Sequence, residues 1–319
     1  MMNRRRFLLT SLSGAVAGPL AAGAQQGSKV YRIGWLHFAS GGPRVTLRQA
    51  LQELRYTEGK NIAFEVRAAD AHPERLPALA AELVRLNVDI IVAIAPPGYS
   101  CREGRHNNDP DSHGVLGGTG SRRLGVVASL SRPGGNVTGV DMLNTSLDTK
   151  RLEFLLEAVP KARTIGVTVH GLRAWELWLK PARTMAERAG KALYLADVVP
   201  ETEAGYSAAF ESIRRAGADA LLVPSSPKFS RDRRIIIELA ARHRIPAMYE
   251  LASMAHDDGL MAYSASLSEM DRQVAALIDK VIKGAKPAGL PIEQPTKFEL
   301  AINLKTAKTF SGSCQATFS

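Results

Sequence analysis

The chain is predicted to be an α/β protein built from two doubly wound lobes, and three observations carry that prediction. Short runs rich in β-branched residues alternate with longer runs of helical spacing. The alternation restarts once, near Val140–Asp148. The length, 319 residues, exceeds what one ordinary domain holds. Parallel neighbours in a sheet need crossover connections, and such crossovers are right-handed, so repeated strand–helix–strand units mean parallel sheets.

In the first lobe, Tyr31–Leu36 reads as a strand and Val45–Tyr56 as a helix with apolar residues at Leu47, Leu51 and Leu54. Asn61–Arg67 alternates as a strand, Leu76–Leu86 reads as a helix, and Val88–Ile94 is a continuous apolar run suited to a buried parallel strand. Asn136–Val140 is another strand, which is the plain reading of the sequon Asn136-Val137-Thr138. After the restart come helix Thr149–Ala158, strand Thr164–Val169, helix Ala174–Ala189 and strand Ala192–Val198. Helix Ala204–Ala216, strand Ala218–Val223 and helix Arg231–His243 follow, then strands Pro246–Tyr249 and Leu260–Tyr263, helix Leu267–Ile282 and an extended stretch through Phe298–Asn303.

Residues 1–24 read as an address rather than as structure. Arg4-Arg5-Arg6-Phe7-Leu8-Leu9 is a basic start with twin-arginine character, an apolar run to Leu20 follows, and Ala22-Gly23-Ala24 is a small-residue cleavage pattern. The apolar run falls short of the roughly 20 residues a spanning helix needs, so export with cleavage after Ala24, to the periplasm, is expected.

The formal charge of +10 drops by three once Arg4, Arg5 and Arg6 are removed, and aromatic residues make up only 6% of the chain. The remaining cations interleave with acids, as at Glu153, Glu157 and Lys161, which suits a solvated surface; no nucleic-acid partner is expected. Two cysteines, Cys101 and Cys314, exclude a disulfide scaffold.

In open parallel sheets ligands bind beyond the carboxyl ends of strands. The strand-end segments are His37–Ser40, Ala95–Pro97, His170-Gly171, Pro224–Ser226, Tyr249-Glu250 and Tyr263-Ser264. The candidate ligand-binding residues are therefore Phe38, Ser40, Ala95, Pro96, His170, Ser225, Ser226, Tyr249 and Tyr263. Ser40, Ser225 and Ser226 suit a carboxylate, and Phe38, Tyr249 and Tyr263 suit apolar or stacking walls.

Four separated segments resemble one family. They are Leu130-Ser131-Arg132-Pro133-Gly134-Gly135-Asn136-Val137-Thr138-Gly139, Tyr56-Thr57-Glu58-Gly59-Lys60-Asn61-Ile62, Ala240–Ala247 and Pro295–Ala307. Together they resemble the extracytoplasmic substrate-binding proteins of ABC transporters, in the family that includes tryptophan and tyrosine binders. The resemblance implies a type I periplasmic-binding-protein-like fold of two Rossmann-like lobes joined by a hinge. It also implies a small organic solute, such as an aromatic amino acid, in the cleft, a permease in the inner membrane as partner, no cofactor and no catalysis. A monomer is expected. The expected division is a first lobe at 25–140, a second at 141–262 and a hinge-crossing segment at 263–319.

The chain departs from that family between Ser100 and Arg123, where Arg102–His113 shows no periodic apolar pattern although a helix and the fourth strand of the first lobe are due. Displacing the codons of residues 106–113 by one base gives access to Thr-Thr-Thr-Ile-Pro-Ile-Val-Met, the kind of run the family carries there. A compensated frameshift over 100–123, a second displacement over 311–319 with a shortened tail, loss of the fourth strand and a poorly functional product are therefore expected. Cys101, His106, Asp109, Asp111 and His113 match no standard zinc spacing, and no metal site is expected. Gly117–Gly120 lacks the Lys-Ser/Thr of a phosphate loop.

Hydrolase chemistry has no support, because no Gly-x-Ser-x-Gly elbow occurs and His170, His243 and His256 stand apart. His243 ends a predicted helix, where a cation suits the dipole. The competing function is a receptor module that feeds a sensor system, which the fold alone does not separate from transport.

Overall fold

The computed structural model describes residues 29–70, 72–94, 113–118, 131, 133–142, 144–170 and 176–310. The expected signal, most of the 100–123 segment and residues 311–319 lie outside the described residues.

The first lobe contains β1 (Tyr31–His37), α1 (Val45–Glu53), β2 (Ile62–Ala68), α2 (Leu76–Arg85), β3 (Ile90–Ile94), β4 (His113–Gly118) and β5 (Val137–Asp141). Its five strands are all parallel, in the order β2-β1-β3-β4-β5. The chain then passes to α3 (Asn144–Ala158), β6 (Thr164–Val169), α4 (Glu176–Arg188), β7 (Ala192–Asp197), α5 (Glu203–Arg215) and β8 (Ala220–Leu222). There follow α6 (Pro227–Arg231), α7 (Arg233–Arg242), β9 (Ala247–Tyr249), α8 (Ala252–His256), β10 (Met261–Ala265), α9 (Leu267–Ile282), β11 (Phe298–Ile302) and α10 (Leu304–Thr309). The second sheet runs β11-β10-β9-β8-β6-β7, parallel except for β11, which pairs antiparallel with β10. Apart from β11, the second sheet repeats the strand order of the first.

Expected and observed elements agree in type over most of the chain, and the differences have local causes. The first helix stops at Glu53 because Arg55 takes a left-handed backbone (φ 69°) and Tyr56 folds back to donate its N–H to the Leu51 carbonyl over 2.8 Å. That turn buries Tyr56 and sends its hydroxyl to Asp279 on α9 at 2.9 Å. The predicted helix Arg231–His243 is observed as α7, and a short helix the sequence reading did not give, α6, precedes it; the two meet at Asp232, whose carboxylate accepts from the Tyr206 hydroxyl at 2.9 Å.

A correction concerns the fourth strand. His113–Gly118 occupies the slot between β3 and β5, pairing Ile90 to His113 and Gly114 to Val137 along the two ladders. Parallel pairing uses backbone groups that every non-proline residue carries, so a glycine-rich run completes the ladder despite its lack of pattern.

Each sheet is covered by helices whose apolar residues recur at helical spacing. In α2 the buried positions are Leu76, Ala80 and Leu83, and in α9 they include Met270, Val274, Leu277, Ile278 and Val281. The entry to α5 is tight: Thr202 accepts from the Gly205 N–H at 3.4 Å, and a Cβ on Gly205 would lie 1.8 Å from the Pro200 carbonyl oxygen. Only glycine fits there.

The chain changes lobes three times among the described residues. After β5 it enters α3, which packs on β8, β9 and β10; after β10 it enters α9, which packs on α1, β4 and β5; it returns to the second sheet as β11. Just before that last return, Glu293 pairs with Val140 at the β5 edge, with the Asp141 N–H donating to the Glu293 carbonyl at 2.9 Å. Two crossings run from the carboxyl end of a strand in one lobe to the start of a helix in the other. The carboxyl edges of both sheets therefore sit at the crossing points.

Candidate functional site

Both sheets reverse their strand order next to a first strand. In the first lobe the reversal lies between β1 and β3, and in the second between β6 and β8. The crevice beyond the strand ends at such a reversal is where doubly wound sheets hold ligands, because the loops diverge there to opposite faces.

On the second lobe, His170 follows β6 and Ser225-Ser226 follow β8, so the two flank the reversal. The His170 Nε2 lies 2.6 Å from the Ser226 hydroxyl, and its ring meets Phe229 edge-on at 5.2 Å between centroids. Burial lowers the His170 pKa from its ordinary value, and the neighbouring Lys228 charge adds to that. This favours the neutral imidazole at neutral pH. Ser226 also caps α6 by accepting from the Lys228 N–H at 3.2 Å, while the Lys228 ammonium pairs with Glu201.

Behind this pair lies a buried polar cluster. Asp148 and Arg151, one turn apart on α3, are 2% and 1% exposed and form an ion pair of 2.6 Å. Asp148 also accepts from the Ser225 N–H at 3.0 Å. Glu250, 4% exposed, accepts from the hydroxyls of Ser225 and Ser230. Burial pushes both carboxyls above the ordinary carboxylate range; Arg151 opposes the rise at each, and serine hydrogen bonds oppose it at Glu250. The Arg151 guanidinium further donates to the backbone carbonyls of Tyr263 at 2.7 Å and Glu250 at 3.0 Å.

The first lobe brings a smaller set of described groups. His37, at the end of β1, has its Nδ1 2.8 Å from the Ala39 carbonyl, and Ser40 is exposed beyond it. Arg44, at the start of α1, donates its Nε–H to buried Asp271 on α9 at 2.9 Å, and the Thr46 hydroxyl donates to the same carboxylate. This fastens the rim of the first lobe to the helix that crosses into it.

The expected site residues separate into groups. His170, Ser225 and Ser226 come together at the reversal of the second sheet. Ser40 stands at the corresponding edge of the first lobe. Ala95 and Pro96 lie outside the described residues, as do Cys101, His106, Asp109 and Asp111. Phe38, 5% exposed, packs in the cluster with Leu76, Ala80 and Leu83 of α2, and its N–H binds the Ile94 carbonyl at 3.0 Å. Tyr249, 1% exposed, lies in the second core beside Gly259, where a Cβ would come within 2.8 Å of its ring. Strand-end position does not say which way a ring turns, and these two turn inward. Tyr263 is half-buried and packs on both cores; its ring meets Phe154 edge-on at 4.9 Å and stacks on Phe298 at 6.0 Å.

Sequence reasoning missed Asp148, Arg151 and Ser230, and it named the Tyr249-Glu250 segment without choosing Glu250. Asp148 and Arg151 have the spacing of an ordinary surface ion pair, and nothing local marks them as buried. Among the described residues no group of three or more His, Cys, Asp or Glu is arranged to hold a metal ion, and no helix is long and apolar enough to cross a membrane.

Comparison with known proteins accords with this geometry. The chain is similar to a tyrosine-binding protein of Clostridioides difficile, at 26% identity over 267 residues, which is 82% of this chain and 74% of that protein. Its fold resembles a Streptococcus pneumonia ABC domain solved in complex with L-Trp (TM-score 0.74, 21% identity, covering 89% of this chain and 95% of that one). It also resembles a conserved domain protein of Vibrio cholerae (TM-score 0.77, 20% identity, covering 90% and 97%). The model of the ABC transporter substrate binding protein family matches residues 42–314, and the chain belongs to that family, one of solute binders and not of enzymes.

Proposed function

We propose that this protein is the extracytoplasmic component of an ABC importer that captures one small organic solute, an amino acid with an aromatic side chain, between its two lobes and closes around it. The observation that carries the reading is the pair of strand-order reversals at carboxyl sheet edges that adjoin the lobe crossings. A solute touching both edges stabilises the closed arrangement over the open one, because only the closed form offers both sets of contacts. A permease in the membrane would then distinguish loaded from empty protein by shape.

The amino-acid class is supported by two proteins this chain is similar to, one a tyrosine binder and one solved with L-Trp. The twin-arginine-like address of residues 1–24 supports a periplasmic location, and we take the protein to act as a monomer.

Calorimetric titration of the purified chain with L-tyrosine and L-tryptophan tests the reading. One-to-one saturable binding of either supports it. Binding confined to sugars or polyols would replace the solute class, and no binding of any small solute would defeat the capture function.

A further inference from the structure

We propose that Arg151 is a positioning residue that couples the solute-facing loops of the second lobe to the strand on which the lobes pivot. The inference rests on the closing-cleft reading above.

Arg151 sits on α3, the first element after the first lobe crossing. Its three contacts go in three directions. Nη1 binds Asp148 at 2.6 Å, which in turn holds the Ser225 N–H at 3.0 Å. Nη2 binds the Glu250 carbonyl at 3.0 Å, and the Glu250 side chain holds Ser225 and Ser230. Nε binds the Tyr263 carbonyl at 2.7 Å, two residues before β10 ends and the chain crosses back into α9. One planar group thus joins the loop after β8, the loop after β9 and the crossing strand β10.

The neighbouring contacts extend this to the third crossing. Phe154, three residues along α3, presses on the Tyr263 ring, and that ring stacks on Phe298 at the start of β11. The Ser266 N–H donates to the Lys297 carbonyl at 2.9 Å, tying the second and third crossings directly. A displacement of Glu250 or Ser225 by a bound solute must move the partners of Arg151, and Arg151 passes that displacement to Tyr263.

A guanidinium at 1% exposure is a costly way to join backbone segments, since burying the charge consumes much of what its contacts return. A rigid fork with five N–H donors is nonetheless the one side chain that reaches three fixed acceptors at once. A lysine ammonium keeps the charge and loses the fork.

Hydrogen exchange on the full chain, as Arg151→Lys and as parent, tests the coupling. Without ligand, the variant should exchange about tenfold faster at Tyr263–Ser266 and Lys297-Phe298, while α5 in the same lobe keeps the parent's rate. With L-tyrosine present, the parent should slow at Ser225-Ser226 and at Tyr263–Ser266, and the variant at the first segment alone. Asp148→Asn, which leaves the guanidinium in place, should loosen the same crossing segments to a smaller degree and serves if Arg151→Lys does not fold. Unchanged exchange at the crossings, acceleration spread evenly over the second lobe, or undiminished slowing at Tyr263–Ser266 in the lysine variant would each overturn the proposal. If the parent itself responds to neither L-tyrosine nor L-tryptophan, the amino-acid reading fails, and the ligand-free comparison still decides the role of Arg151.

Discussion

The Nε2 of His170 and the hydroxyl of Ser226 lie 2.6 Å apart, linking the ends of the two strands between which the second sheet reverses its order. Ser226 serves two neighbours at once, the imidazole and the first turn of α6. Ser226→Ala should remove both contacts and destabilise the protein by about 1 kcal/mol, a loss of roughly 2–4 °C in melting temperature. Solute affinity should fall in the same variant. Thermal melts read the first effect and titration calorimetry the second.

Glu250 supplies a pH prediction. Its pKa in the folded protein is raised, chiefly by burial, so the folded state holds a proton that the unfolded chain has lost. Stability contributed by that proton is present below the unfolded carboxylate pKa and is lost as pH rises through the folded value. Asp148 acts in the same sense. Glu250→Gln should therefore flatten the fall in melting temperature as pH rises above the ordinary carboxylate range. A melt series over that rise checks it, and an equally steep fall in the variant would contradict it.

Gly205 makes a sharper test of packing. Gly205→Ala would place a methyl 1.8 Å from the Pro200 carbonyl oxygen, which backbone cannot accommodate without moving the start of α5. The expected loss is about 2 kcal/mol or more, roughly 4–8 °C, read by calorimetric or denaturant unfolding. Gly190→Ala is a useful companion, because its left-handed backbone (φ 68°) has open space around the added carbon and strains only the dihedral.

The 106–113 segment leads to a prediction about the chain as written. Replacing it by Thr-Thr-Thr-Ile-Pro-Ile-Val-Met restores β-branched residues next to a strand that now carries three glycines in six positions. Gly114, Gly117 and Gly118 stay in place, so the gain comes from the β-branched residues restored ahead of the strand, and the restored chain should melt higher. Equal melting temperatures would contradict the expected weakness of the chain.

Much of the fold was legible because β-branched runs and apolar residues at helical spacing are local signals. Leu47 and Leu51 announced α1, and the β-branched run Thr164–Val169 announced β6. The end of α1 was not legible, since Tyr56 is drawn out of the helix by Asp279, more than two hundred residues away along the chain. β4 was missed for the opposite reason: its ladder is made by backbone groups that no side-chain pattern advertises.

Strand-end position led to His170, Ser225 and Ser226, which the fold gathers at the reversal of the second sheet, because the carboxyl edge of a doubly wound sheet is where loops diverge. The same rule cannot choose a face, and it gave Phe38 and Tyr249 as readily as the exposed Ser40. It reached the Tyr249-Glu250 segment without picking out Glu250, and Asp148 and Arg151 were invisible to it because their meaning lies in burial. A charged pair on α3 looks alike in sequence whether water or the second core surrounds it.

Closure around a captured solute is the central claim, and small-angle scattering of the full chain with and without its best-binding amino acid tests it most directly. The account expects a smaller radius of gyration in the saturated protein. A solute that binds one-to-one and leaves the scattering unchanged would contradict it.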